Sequence, residues 1–432
     1  MPDSKLWMRS EIAQWLREGL ISDEQAERLL ARYPDTPAVE PGDGNWGKTI
    51  FAAIGALLIG AGVILVFAYN WAAMSRYSKL SVILGALLLA HLAGWIWRRR
   101  DQGSRLGESL HVLGTMLFGA GIWLIAQIYH IDAHYPDGFW LWGLGALAMA
   151  WALPSVLHGL LATALLLVWT VMESADFGRA VLWGGALIAV AILPLAYRLR
   201  SPSLLSLALL VLPAALGLDI WRLEDSALYL SVALLAASYL LLAPWLSQGR
   251  WPLSGDVCYR TGLLYWVMIL FVGSFISDIE QLGFDGGPAA VYVAVLSLLC
   301  LGALLVRLFS PRSRPTTGLA WLEMGVVALP MLAIALTVLV EATDPLLQVV
   351  CNVAILAISL ALIYSGTESV RGQRVVVGCG ILTALAIARF GDLFTSLLSR
   401  AGVFLLLGAA LFVVGLRFSR QQTRRKLEKP NA

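Results

Sequence analysis

The run TIFAAIGALLIGAGVILVFAY, from Thr49 to Tyr69, carries no charged side chain. It meets the length of about 20 apolar residues that a helix needs to cross a bilayer. In hydrocarbon the backbone has no water to bond, so a spanning segment must be a helix or part of a closed barrel. A barrel alternates apolar and polar residues in short segments, whereas runs of the Thr49–Tyr69 kind recur along most of this chain. They give about 14 candidate spans, near 50–69, 80–97, 110–128, 139–153, 156–172, 180–197, 203–218, 227–246, 261–277, 289–306, 320–340, 346–365, 373–388 and 401–417. The fourth and seventh are short, so about twelve or thirteen is the alternative count. With 59% hydrophobic and 14% charged residues, the chain lies far from the roughly 25% charged mix of soluble domains. The expected fold is all-α, a polytopic transmembrane helical bundle.

Charge sets the expected threading. With about 14 spans, all but Arg76, Lys79, Arg179, Arg222, Arg389 and Arg400 of the 31 lysines and arginines fall on the side of both termini. Basic residues favour the cytoplasmic side of a membrane, so the N- and C-termini are expected in the cytoplasm. Arg98–Arg100 and the tail from Arg424 to Lys429 read as topological anchors, and Trp46, Trp71, Trp95, Trp97, Trp140, Trp142, Trp245 and Trp251 as an interfacial belt. The first 45 residues lack an apolar core, so the first span is expected to act as the insertion signal. Three parts follow: a cytoplasmic helical hairpin with its linker (1–45), a transmembrane helical domain (46–418) and a basic cytoplasmic tail (419–432).

Within the first part, residues 10–33 read as two short helices separated by Gly19, the second opened by Ser22 with Gln25 at capping-box spacing. Ile12, Trp15, Leu16 and Leu20 line one face, and Ala26, Leu29 and Leu30 another. So small a unit buries little surface alone, so residues 10–33 are expected to dock on a second copy, on a protein partner or on the membrane domain. Basic residues sit beside apolar runs without interleaved aromatics, which argues against nucleic acid as a partner. Cys258, Cys300, Cys351 and Cys379 show no paired spacing and read as packing residues.

The words WGKTIFAAIGALLIGAGVILVFAYNW, ESLHVLGTMLFGAGIWLIAQIYHI and PDGFWLW set polar residues at fixed places in hydrocarbon. In these, and in its N-terminal hairpin, the chain resembles the bacterial membrane-protein family DUF2157. The stretch from Ala384 to Gly415 is similar to the end of the related DUF4401-type proteins, although Phe390 is followed here by Gly391. The resemblance implies a multi-pass protein of the bacterial cytoplasmic (inner) membrane and no established activity.

The unusual polar groups fall, by this threading, at the outer ends of three spans. One reading gathers Asn70, Trp71, Gln127, Tyr129, His130, Arg389 and Asp392 into an outward-facing, substrate-binding vestibule. The other makes Asn70 and Gln127 helix-end caps, Tyr129 a belt residue and Arg389–Asp392 an i, i+3 surface pair. His130, Asp132 and His134 are the weak metal candidates, two imidazoles four residues apart. Pro136 and Asp137-Gly138 indicate that this stretch leaves the helix as a hydrated loop, so no metal or cofactor is expected. His91, His111 and Asn352 read as helix-packing hydrogen bonders, and Glu108 as complementing a helix N-terminus.

Glu173, Asp219, Glu323 and Glu341 sit near span ends, not at the midplane where ion-coupled carriers keep carboxylates. No phosphate-binding glycine loop with lysine, HExxH or GxSxG is present. Glycine-rich words such as Gly114–Gly121 read as close-packing devices. An enzyme is the weakest expectation, with His130 and Asp132 its sole acid–base candidates. The leading expectation is a carrier or lipid- or small-molecule-handling protein. The alternative is a membrane scaffold or sensor that recruits a partner through the hairpin.

Overall fold

The computed structural model describes residues 11–32 (13 apart), 73–100, 105–131, 134–223, 225–275, 288–340, 344–369 and 372–389, with Tyr69 and Phe412. Every regular element among the described residues is helical. Cα packing divides the chain into two units, residues 1–79 and 80–432. The expected spans near 50–69 and 401–417, and the 419–432 tail, lie outside the described residues apart from Tyr69 and Phe412.

In the first unit, α1 (residues 11–17) ends at Gly19, whose φ of 69° suits a residue without a side chain. Then α2 (Asp23–Arg32) opens with the expected capping box: Ser22 N donates to Gln25 Oε1 at 3.0 Å, and Gln25 N donates to Ser22 Oγ at 3.3 Å. Ile12 and Ala26 are buried, while Leu20 is 68% exposed.

The second unit is built from α3 (Arg76–Arg100, from Leu80 onward), α4 (Arg105–Tyr129), α5 (Asp137–Ala152), α6 (Val156–Phe177), α7 (Trp183–Leu199), α8 (Pro202–Leu223), α9 (Asp225–Ser247), α10 (Leu253–Gly273), α11 (Pro288–Phe309), α12 (Gly318–Val340), α13 (Asp344–Glu368) and α14 (Gly372–Ala388). Among the described residues, eight helices are long and apolar enough to cross a membrane: α3, α4, α6 and α9 to α13. The shorter apolar helices are α7, the segment Pro202–Leu218 of α8, and α14. In chain order the twelve helices α3 to α14 fall on the segments read as spans two to thirteen, eight of them long and apolar enough to cross. The clearest displacement is α10, expected at 261–277 and found at Leu253–Gly273. Pro252 at its N-cap starts the helix early, so Asp256 and Arg260, which the span 261–277 leaves outside, are carried exposed on its first turns. In α7, Pro194 offers no N–H to the carbonyl four residues earlier, and the backbone relaxes into a π turn at Ile188–Ile192.

Contacts between helix ends establish the antiparallel alternation. On one side, Arg98 Nη1 meets the Leu153 carbonyl at 3.4 Å, Ser155 meets Glu108, and the Tyr197 ring lies 5.8 Å from that of Trp251. On the other, His134 meets Glu173, Ser174 meets the Leu218 carbonyl, and Arg389 reaches Ser274 and Asn352. One core lies among α5 to α10 around Leu166, Ile188, Leu195 and Leu204, and the other among α9 to α13 around Trp266, whose Nε1 donates to the Val326 carbonyl at 3.1 Å. Val291, Val295, Leu298, Leu299 and Leu305 remain exposed along α11 at helical spacing. A stripe of this size is costly in water and suits lipid.

Small residues lie where the helices come closest. A Cβ at Gly114 would sit 2.6 Å from His91 Nε2, and one at Gly119 2.2 Å from the Trp142 ring. The word from Gly114 to Gly121 is thus a packing device against α3 and α5.

Candidate functional site

Four polar or amphipathic places emerge. The first is where α4 ends. His130 takes a left-handed φ of 53°, and Ile131 N closes on the Ala126 carbonyl at 2.9 Å, so the chain leaves the helix there. His130 and His134 consequently do not share a helix face. Gln127, Tyr129 and His130 are all exposed at this end. Asp132 lies outside the described residues.

The hydrated-loop expectation for His134 needs correction. Its Nε2 lies 2.6 Å from Glu173 Oε1, and its ring packs edge-on against Phe177 with centroids 4.1 Å apart. The neighbouring Tyr135 hydroxyl donates to Asp176. That bond, ahead of desolvation and the nearby carboxylate charges, raises the phenol's pKa above its ordinary value of 10.0. Asp137 opens α5, with Pro136 as its N-cap.

At the opposite side a buried network joins three of the five histidines. Ser155 is the N-cap of α6, accepting from His158 N at 3.3 Å, and its hydroxyl donates to Glu108 Oε1 at 2.6 Å. His158, fully buried, places Nδ1 2.9 Å from Ser155 Oγ and Nε2 3.1 Å from Thr115 Oγ1. His91 and His111 approach through their Nδ1 atoms at 3.2 Å. The packing reading of His91 and His111 fits this geometry. Glu108 lies in the first turn of α4, as expected of a group that complements that helix N-terminus, and it also ties α4 to Ser155 in front of α6.

Third, Arg389 at the end of α14 donates from Nε to Asn352 Oδ1 at 3.1 Å and from Nη2 to the Ser274 carbonyl, and its guanidinium lies 4.2 Å over the Phe275 ring. Asn352 also donates to the Gln348 carbonyl at 2.7 Å. Arg389 thus braces α10, α13 and α14. It shares its side of the bundle with Gln127, Tyr129 and His130, but each set is held by different helices. Asn70, Trp71 and Asp392 lie outside the described residues.

The fourth place is a groove of about 1210 Å³ between α10 and α14, which sequence reasoning missed. Leu263, Leu264, Val267, Met268, Phe271 and Val272 line it from α10, and Val376, Val377 and Ile381 from α14. Polar groups gather at its Arg98-side end: Asp256, Tyr259 and Arg260 on α10, with Gln373 and Arg374 on α14. Two guanidiniums and one carboxylate thus stand among the lining residues at that end. Glu323 lies within electrostatic reach of Arg374 and of Arg307 behind it. The signal available in the sequence was the change along α10 from Asp256, Tyr259 and Arg260 to an apolar stripe at three- and four-residue spacing.

Sequence comparison now bears on the chain. Residues 13–159 match the family DUF2157, described as predicted membrane protein. The DUF2157 match covers about a third of the chain and includes the hairpin from residue 13 onward, His91, His111, the loop carrying His134 and the Ser155–His158 cap. It ends before the groove and does not reach Ala384–Gly415, so the likeness to DUF4401-type proteins gains no support from it. The chain matches no curated protein and no solved structure.

Proposed function

We propose that this DUF2157-matching chain is a multi-pass protein of the bacterial cytoplasmic membrane that binds an anionic amphiphile of the phospholipid type in the groove between α10 and α14. The observation that carries the reading is the division of that groove into an apolar body and a charged end holding Arg260 and Arg374. From Asp256 to Val272 the lining of α10 runs about 24 Å at 1.5 Å per residue. That is most of a hydrocarbon core of about 30 Å. An acyl chain is accommodated along the stripe while a phosphate meets the guanidiniums, whose fork matches its oxygens.

In this proposal both termini and the 1–45 hairpin are cytoplasmic, residues 46–418 form the membrane domain, and the charged end of the groove faces the inner leaflet. An outward-facing vestibule of Asn70, Trp71, Gln127, Tyr129, His130, Arg389 and Asp392 belongs to its carrier form. The shared side of Arg389 with the exposed end of α4 supports that form. A scaffold reading draws on Leu16 and Leu20, which are 37% and 68% exposed on the hairpin.

Native mass spectrometry of the full chain with phosphatidylglycerol and phosphatidylcholine tests the amphiphile reading. The wild type is expected to retain the anionic lipid preferentially, and the Arg260→Ala/Arg374→Ala pair to lose that preference by about tenfold or more, the equivalent of one charge-assisted contact. A chain lacking residues 1–40 should keep it. Equal retention of both lipids by the wild type, or an unchanged preference in the double variant, would sink the reading. Loss of the preference only on removing residues 1–40 would favour the scaffold.

A further inference from the structure

We propose that His134, Asp137 and Glu173 form a binding site for a divalent transition metal of the zinc type, at the end of the α5–α6 pair opposite the Ser155 cap. Each contributes one ligand atom, a ring nitrogen or a carboxylate oxygen, and these atoms lie within 4.8 Å of one another. One imidazole with two carboxylates is a nitrogen–oxygen donor set that suits Zn²⁺, with Mn²⁺ and Fe²⁺ next. Three protein ligands leave a fourth position of a tetrahedral ion for water or another molecule.

The independent observation is Glu173 itself. Its side chain is 3% exposed, and its Oε2 has no hydrogen-bond partner although Oε1 meets His134. A buried carboxylate oxygen left bare is costly. Glu173 also lies in the last turns of α6, where the helix dipole presents its negative end and disfavours an anion. Asp176 and Asp137 add two more carboxylates close by, with Arg179 as the nearest basic residue along the chain. The surroundings therefore favour a bound cation.

The present geometry needs a small adjustment. Ligand atoms around a tetrahedral zinc ion, bound at about 2.0–2.2 Å, stand about 3.3–3.6 Å apart. His134 Nε2 and Glu173 Oε1 are closer, at 2.6 Å, so the ion replaces their hydrogen bond and the imidazole withdraws by under about 1 Å. Asp137 is exposed on the first turn of α5 and is free to swing inward. Phe177, edge-on to the imidazole, holds its plane.

The test uses the untagged full chain in detergent, stripped with chelator and titrated with Zn²⁺ against a chromophoric chelator, while thermal unfolding is followed in parallel. The expected result is one zinc ion per chain, a raised Tm on binding, and no matching uptake of Mg²⁺. Glu173→Gln keeps the shape and removes the anion. Asp137→Asn changes an exposed ligand and so leaves the core packing intact. Each should weaken zinc binding by more than the roughly 10- to 100-fold typical of an outer-shell loss, while His130→Ala binds as the wild type does. Failure of the folded wild type to bind zinc, wild-type affinity in Asp137→Asn, or Mg²⁺ competing on equal terms would each overturn the site. None of these outcomes touches the groove.

Discussion

Replacing Gly255 by alanine should destabilise the bundle by about 3 kcal/mol or more, and replacing it by leucine should leave little folded protein. Gly255 stands in the first turn of α10 against the end of α9. A Cβ there would lie 2.0 Å from Ser247 Oγ, 2.5 Å from the Ala243 carbonyl oxygen and 2.5 Å from Ser247 N. The hydroxyl can rotate away, but the two backbone atoms move only if the helices part. These helices hold core residues on both sides, including Ala237, Leu241, Trp266 and Leu270, so separating them disturbs the centre of the larger core. The same substitution at Gly302, midway along α11, provides the contrast, because no described atom lies within 4 Å of the added carbon. There alanine should be neutral or gain up to about 1 kcal/mol from helix propensity. Thermal unfolding and the yield of monodisperse protein in detergent measure both. If Gly255→Ala melts with Gly302→Ala, the close approach of α9 and α10 is not what holds this region together.

Much of this architecture is legible in the sequence because one constraint dominates it. Hydrocarbon satisfies no backbone group, so apolar length alone dictates a helix, and turn residues set its limits. The Ser22/Gln25 box and Gly19 act as local signals and are found where local chemistry puts them. The reading slips where charge and helix coincide. Asp256 and Arg260 look like loop residues in a linear scan, yet the start of a membrane helix tolerates them where they face the groove and the interface. The π turn in α7 is likewise a response to Pro194 that apolar length does not reveal.

The polar groups are less legible, because their partners are distant in sequence. Glu173 looks like one more carboxylate at the end of a span, and His134 like part of a loop. What unites them is the hairpin of α5 and α6 folding at Pro154, which lies about 18 residues, or about 27 Å of helix, from both Asp137 and Glu173. Equal arm lengths on either side of a proline-marked turn would have brought the two carboxylates to one end. His158 went unremarked for the same reason: Ser155 beside it is a recognisable cap, but Thr115 and Glu108 come from α4. Arg389 is a further case of distant partners. Its described partners Asn352 and Ser274 come from two other helices, while Asp392, three residues on, lies outside the described residues.

The Ser155 network makes the second strong prediction, that Ser155→Ala will cost about 3 kcal/mol. One hydroxyl, 2% exposed, serves three groups on two residues: it caps α6 at His158 N, donates to Glu108 Oε1 and meets His158 Nδ1. Loss of an N-cap costs about 1 kcal/mol. Each buried polar group left without its partner costs about 1–3 kcal/mol more, although Glu108 is only part-buried and recovers some of this from solvent. Because the three share one oxygen, their losses cannot simply be added, and a double-mutant cycle separates them. Glu108→Ala removes the same bond from the other end. The double variant should therefore be less damaging than the two single effects combined, by at least about 1 kcal/mol. Additive effects would mean that Ser155 acts through the cap alone. A Ser155→Ala protein melting within about a degree of the wild type would show that the network contributes nothing to holding α4 against α6.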